Sequence, residues 1–333
     1  YLAGKIDLSQ AEAVADLIAS SSRADHALAT NQMRGGYSEE LEGLRDKLLQ
    51  LTSLLELELD FSEEDVEFAD RTALRETMER IGGEIDRLRN SFALGNAIKE
   101  GVAVAIVGAP NVGKSTLLNR LLNEDRAMVS EIAGTTRDVI EEQANIGGVR
   151  FRFLDTAGIR ATGDRLERMG IERTMESIRR AQVVIRLLDA RDLEGGIPAA
   201  EFTLRQEQRL LTVINKLDAA PKGFRPMEGT IGISARRGDG IEALCRALRD
   251  AVDTEGVYHG ETVVSNSRHY EALTAARQAL ASALEGLDRG LPADLLSEEI
   301  RPVISCLGEI TGRGAIAPDE VLENIFSKFC IGK

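Results

Sequence analysis

"GAPNVGKS", Gly108 to Ser115, fits the pattern G-x-x-x-x-G-K-[ST]. It follows "VAVAIVG", Val102 to Gly108, a short apolar run with β-branched residues that reads as a buried strand. A strand, a glycine-rich turn and a helix in that order make a phosphate cradle. The glycines let backbone N–H groups curl around an anion, and the helix N-terminus adds a favourable dipole. Asn111, Val112, Gly113, Lys114, Ser115 and Thr116 are therefore expected to surround a nucleotide's phosphates. Lys114 reaches the β- and γ-phosphates, and the Ser115 hydroxyl faces Mg²⁺.

The next signals fall at strand ends downstream. "DTAG", Asp155 to Gly158, closes the alternating run "VRFRFLD", Val149 to Asp155. At that place Asp155 binds Mg²⁺ through water, and the Gly158 N–H meets the γ-phosphate. "NKLD", Asn215 to Asp218, ends the apolar run "LLTVIN", Leu210 to Asn215, and decides the base. Guanine presents N1–H and an exocyclic amine side by side, and the single carboxylate of Asp218 accepts from both. Adenine lacks that donor pair and leaves the carboxylate unpaired. Lys216 lies over the base plane, and "SAR", Ser234, Ala235 and Arg236, closes the pocket by backbone contact. Between the cradle and DTAG lies "GTTRD", Gly134 to Asp138, where a mobile loop gives a threonine hydroxyl to Mg²⁺. Thr136 is assigned that role. The order of these elements is that of a P-loop GTPase. One residue departs from the usual pattern: Ile159 stands where many GTPases place the glutamine that orients the attacking water.

With "VVIRLLD", Val183 to Asp189, and "GTIGIS", Gly229 to Ser234, the strand candidates alternate with helical stretches. That pattern predicts an α/β domain with a mostly parallel sheet and helices on both faces, over residues 101–253. The flanks read differently. Ser9 followed by Glu12 suggests a capping box. Leu41, Leu44, Leu48, Leu51 and Leu55 form one helical seam; Leu74, Met78, Ile81, Ile85, Leu88 and Phe92 form another. Two such seams predict antiparallel helices. Beyond a polar link at 254–267, helices are expected over 268–288, 294–310 and 318–328. Residues 1–100 and 254–333 thus read as two parts of one all-α bundle into which the G domain is inserted. "DFSEEDVEFAD", Asp60 to Asp70, carries six acids, but its spacing fits no EF-hand and it reads as a solvated connection.

Composition narrows the function. The chain has 333 residues, 43% hydrophobic and only 4% aromatic, so its core is aliphatic. A net charge of −14 argues against an independent nucleic-acid binder driven by counterion release. Cys245, Cys306 and Cys330 are far apart with no CxxC pair, which points to a reducing, cytoplasmic setting rather than to disulfides or zinc. The three histidines show no ligand spacing, and neither a membrane span nor a signal peptide is expected.

"GKIDLSQAEAVADLI", Gly4 to Ile18, "EIAGTTRDVIEE", Glu131 to Glu142, "RMGIERT", Arg168 to Thr174, and "IFSKFCIGK", Ile325 to Lys333, together resemble the MnmE (TrmE) tRNA-modification GTPases over essentially the whole chain. The resemblance implies action with an FAD-containing partner, MnmG, on C5 of the wobble uridine of tRNA, with a tetrahydrofolate derivative as one-carbon source. The family's folate-binding and dimer-holding N-terminal domain is expected to be absent from this chain, which starts at Tyr1. The resemblance also implies that two G domains pair across the nucleotides as a homodimer when GTP and K⁺ are bound. K⁺ is then held by Asn111, Ser130, Ile132 and Thr135, and supplies the charge of an arginine finger. Glu167 in "RLERMGIER" matches the family's water-orienting glutamate and stands in for what Ile159 lacks. Cys330 falls at the site of tRNA chemistry as a nucleophile or proton carrier.

Two other classes compete. A ribosome-assembly GTPase acting as an RNA-binding switch should carry a basic module such as a KH domain. A membrane-remodelling GTPase should carry an amphipathic or basic membrane-facing segment. The acidic helical flanks supply neither.

Overall fold

β1, Val102–Val107, is buried along its whole length, as its unbroken apolar run requires of a central parallel strand. The computed structural model describes residues 5–60, 70–125, 142–154, 167–193, 202–252 and 254–313. The chain forms two compact units: one contains residues 100–253 with 21–24, and the other residues 1–20, 25–99 and 254–333.

In the first unit the sheet order is β2-β3-β1-β4-β5-β6. β3 is Val149–Phe153, β4 Val183–Asp189, β5 Arg209–Asn215 and β6 Ile231–Gly232. All of these run parallel, while β2, Glu142–Ile146, pairs antiparallel with β3 at the edge. α5, Lys114–Asp125, follows the cradle. α6, Glu167–Arg180, packs on one face of β1, where Ala103, Ala105 and Val107 meet Ile178 and Ala181. α7, Ile241–Asp250, completes the unit.

The sequence pattern did not reveal β2. Its signal is the Gly147–Gly148 pair, which joins β2 to β3 with φ of 63° and 88°. A two-residue hairpin with both residues at positive φ twists in the sense of the flanking strands, and glycine adopts it without strain. The last strand is shorter than the expected 229–234. Ser234 leaves the ladder because its N–H donates to the Asp239 carbonyl at 2.9 Å, turning the chain into a loop.

The second unit is a bundle whose four long helices are α3, Gly36–Asp60; α4, Arg71–Glu100; α9, Ser267–Asp288; and α10, Ala293–Thr311. Ion pairs fix their directions. Arg71 meets Glu58 at 2.7 Å, and Arg87 meets Glu40, so α3 and α4 are antiparallel. Arg75 with Asp288, and Arg277 with Asp86 at 2.9 Å, set α9 antiparallel to α4. Arg301 with Glu56 at 2.9 Å, and Arg313 with Glu42 at 3.0 Å, set α10 antiparallel to α3. Leu48, Leu55, Met78, Ile85 and Leu88 from the first flank share one core with Leu273, Leu280, Ile300, Ile304 and Leu307 from the second. The helical flanks are therefore one bundle interrupted by an α/β domain.

Shorter helices were less legible. α1 is Leu8–Ala19, α2 Arg23–Met33 and α8 Glu255–Tyr258; the last lies inside the expected polar link. The expected capping box at Ser9 and Glu12 is displaced by two residues. Asp7 caps α1, accepting from Gln10 N–H at 2.8 Å, while the Gln10 side chain accepts from Asp7 N–H at 3.0 Å. Asp7 also accepts the Ser9 hydroxyl, so Ser9 cannot serve as the cap itself. Glu12 turns instead to Arg268 at 2.9 Å and His269 at 2.7 Å. The acidic stretch at 61–69 and the helix expected at 318–328 lie outside the described residues.

Candidate nucleotide site

Parallel strands bring the loops after β1, β4, β5 and β6 to the carboxyl edge of one sheet, where such sheets bind ligands. The cradle starts where β1 ends and closes at Lys114, the first residue of α5. Gly113 has φ of 106°, and a Cβ there would run into the Asn215 amide. Both the backbone angle and the close approach require glycine. The Lys114 ammonium turns back into the loop and donates to the carbonyls of Gly108 at 2.8 Å and Ala109 at 3.0 Å. Burial pulls its pKa below the ordinary lysine value. A cation folded over a glycine-rich loop at a helix N-terminus fits a polyphosphate. Ser115 lies one residue into the same helix, and Thr116 follows it, exposed.

Asn215 joins three segments. Its Nδ2 donates to the Val112 carbonyl at 2.9 Å, and its Oδ1 accepts the Ala235 N–H at 2.9 Å. The side chain is 2% exposed. It therefore holds the cradle and the 234–236 loop in place with both of its polar atoms. Asp218 accepts the Ser234 hydroxyl at 2.6 Å, and that bond, followed by nearby arginines, lowers its pKa from the carboxylate value. Arg120 of α5 donates to the Arg236 carbonyl at 2.9 Å, fixing the far side of the same loop.

Asn111 and Lys216 are the two described non-glycine residues at positive φ, 61° and 64°. They touch: the Lys216 ammonium donates to the Asn111 carbonyl at 2.6 Å. Such backbone strain persists only where surroundings over-determine it, and it concentrates at functional sites.

The structure thus brings together Asn111, Val112, Gly113, Lys114, Asn215, Lys216, Asp218, Ser234, Ala235 and Arg236. Ser130, Ile132, Thr135, Thr136, Asp155, Gly158 and Cys330 lie outside the described residues. Glu167 opens α6, and its side chain also lies outside them. Asp189, at the end of β4, is a contributor the motif reading passed over. Its only sequence signal was an acid closing an apolar strand beside the strand that ends in NKLD. Among the described residues no group of three His, Cys, Asp or Glu is arranged to hold a metal ion, and no helix is long and apolar enough to cross a membrane.

A parallel sheet, a lysine-tipped phosphate loop and a base loop strapped to it by one asparagine define a P-loop GTPase. The family model for the MnmE helical domain matches residues 8–330. The "tRNA modification GTPase MnmE" of Cytophaga hutchinsonii is 51% identical over all of this chain and 73% of its own length. Its namesake from Bacteroides thetaiotaomicron is 51% identical over all of this chain and 74% of its own. The chain belongs to the MnmE family. Among solved structures it is similar to an Aquifex aeolicus Era variant bound to GDP and AlF₄⁻, at 26% identity over 53% of this chain and 65% of that one, with a TM-score of 0.33.

Proposed function

We propose that the protein is a K⁺-activated GTPase acting in modification of the tRNA wobble uridine, with an FAD-containing MnmG partner and a G-domain homodimer in the GTP state. The observation that carries the K⁺ reading is Asn111: it is exposed, held at φ of 61°, and its carbonyl is locked by Lys216. Its side chain stands exposed on the phosphate loop, on a backbone that this bond helps to hold. Membership of the MnmE family supports the role in tRNA modification.

In this reading Lys114 holds the β- and γ-phosphates, and Asp218 reads the guanine edge. Ala235 and its neighbours close the pocket. Mg²⁺ would be held by Ser115, Thr136 and Asp155, the last through water, and K⁺ would be held by Asn111, Ser130, Ile132 and Thr135. When bound, the two cations supply the positive charge that phosphoryl transfer needs. Gly158 senses the γ-phosphate, and Glu167 positions the attacking water that Ile159 cannot. Cys330 serves the tRNA chemistry. The division into 1–100, 101–253 and 254–333, and a cytoplasmic location, belong to the same proposal.

The test is a steady-state GTPase assay in K⁺ and then in Na⁺, on the wild type and on Glu167→Ala. K⁺ should accelerate the wild type by on the order of tenfold or more, while Glu167→Ala keeps its GTP affinity and loses that acceleration. Equal rates in both salts would remove the K⁺ assignment. Unchanged wobble-uridine modification in cells lacking the protein would remove the pathway assignment.

A further inference from the structure

Asp189 ends β4 directly opposite Asn215 at the end of β5. Its carboxylate is 7% exposed. One oxygen accepts the Arg191 backbone N–H and Nε, each at 3.0 Å; the other accepts Arg191 Nη2 and the Lys216 ammonium, each at 2.7 Å. Lys216 has a second acceptor, the Asn111 carbonyl at 2.6 Å. Two of its three N–H bonds are thus directed at fixed oxygens, one on the phosphate loop and one on the neighbouring strand end. A lysine tethered at its head has little rotamer freedom left, and its four-carbon stem becomes a fixed apolar surface.

We propose that Asp189 is a positioning residue for the nucleotide: it anchors the Lys216 ammonium so that the lysine stem forms the platform for the guanine ring. The inference rests on the reading of residues 215–218 as the base site. The Arg191 guanidinium, and Lys216 beside it, hold the Asp189 carboxyl well below the usual carboxylate range, so the anchor stays charged across the working pH span. Lys216 needs an anchor because its backbone sits at φ of 64°, a conformation that a lysine does not hold unaided. Edge recognition by Asp218 and platform positioning by Asp189 are then separable tasks, carried from two different strand ends.

The experiment is release of fluorescent GDP from the full chain, followed by stopped flow. Asp189→Asn should raise the dissociation rate by about tenfold, since affinity changes at a preformed site appear mostly in release. The preference for guanine over xanthine nucleotides should stay within a factor of about two, because Asp218 is untouched. Asp189→Ser keeps a cap for the Arg191 N–H while removing the charge, and should release GDP as fast as Asp189→Asn. In a Lys216→Met background, Asp189→Asn should add less than about twofold, since the partner it anchors is gone. An equal effect in both backgrounds, or release within twofold of wild type in Asp189→Asn, overturns the proposal. Asp218→Asn, measured alongside, separates the two ideas: if it switches base preference while Asp189→Asn does nothing, the base site stands and the anchor falls. If Asp218→Asn changes nothing, the base site itself has failed.

Discussion

The two units differ in where their hydrogen-bonded polar groups concentrate. In the α/β unit, Asp189, Asn215 and Ser234 are buried at 7%, 2% and 0% exposure and gather around one site, with Asn215 bonding Val112 about a hundred residues away. In the helical bundle the centre is Leu, Ile, Val and Met, and most of the ion pairs sit half-exposed along its edges. Edge pairs of that kind set direction and partner but add little stability, about 0–1 kcal/mol each. Buried hydrogen bonds fix one geometry, because each unmade bond costs more than a made one gains. One unit is therefore specified by hydrogen bonding at a point and the other by apolar area along a line. A substitution at the point should change what binds, and a substitution on the line should change only how firmly the unit folds.

The largest effect that tests this division is on base choice. Asp218→Asn should weaken GTP and favour xanthosine triphosphate, shifting the ratio of their dissociation constants by on the order of 10²–10³-fold with thermal stability nearly unchanged. An unchanged ratio breaks the assignment. Next comes the bundle. Leu48 is fully buried in the shared core, and Leu48→Ala should lower the unfolding free energy of the helical unit by about 3 kcal/mol in a denaturant titration. GTP affinity should remain within about twofold; a parallel loss of affinity would erase the contrast between the units.

The smallest effect comes from His269, a buried titratable group in the helical unit. It is 1% exposed, and burial lowers its pKa from 6.5 to about 4 despite the nearby Glu12 carboxylate. The sign follows from where the proton goes. Between pH 6.5 and 4 the unfolded chain takes up a proton that the folded His269 refuses, so stability falls as pH falls through that window. The drop is about 2–3 kcal/mol, complete near pH 4. His269→Gln should flatten the stability profile over that window, and an unchanged slope would assign the acid sensitivity elsewhere.

Motif spacing made the phosphate loop and the base loop legible, because their chemistry demands fixed residue types at fixed intervals. The strand at 102–107 was legible because complete burial demands an unbroken apolar run, and the strand at 183–189 because only Arg186 interrupts its apolar residues before the closing acid. The first two long helices of the bundle were legible from their 3.6-residue seams, and the last two were expected without one. β2 was not, since "EQANI" is an edge strand with one wet face and little apolar pattern. Asp189 was not, since nothing in an isolated acid reveals that a lysine from the next strand end will reach it. The cap of α1 was misplaced because Asp7, Ser9, Gln10 and Glu12 all have capping side chains, and only the tertiary partners of Glu12 decide among them.

The bundle's discontinuity bears on how the chain is made. α4 ends at Glu100 and its partner α9 does not begin until Ser267. On a ribosome adding roughly 5–20 residues per second, the leucine seams of α3 and α4 emerge about ten to thirty seconds before their other half exists. The intervening α/β unit has its own core and can fold in that interval. During synthesis the α3–α4 hairpin is therefore a half-built, apolar-faced intermediate, exposed to chaperones for as long as the ribosome takes to write the insertion.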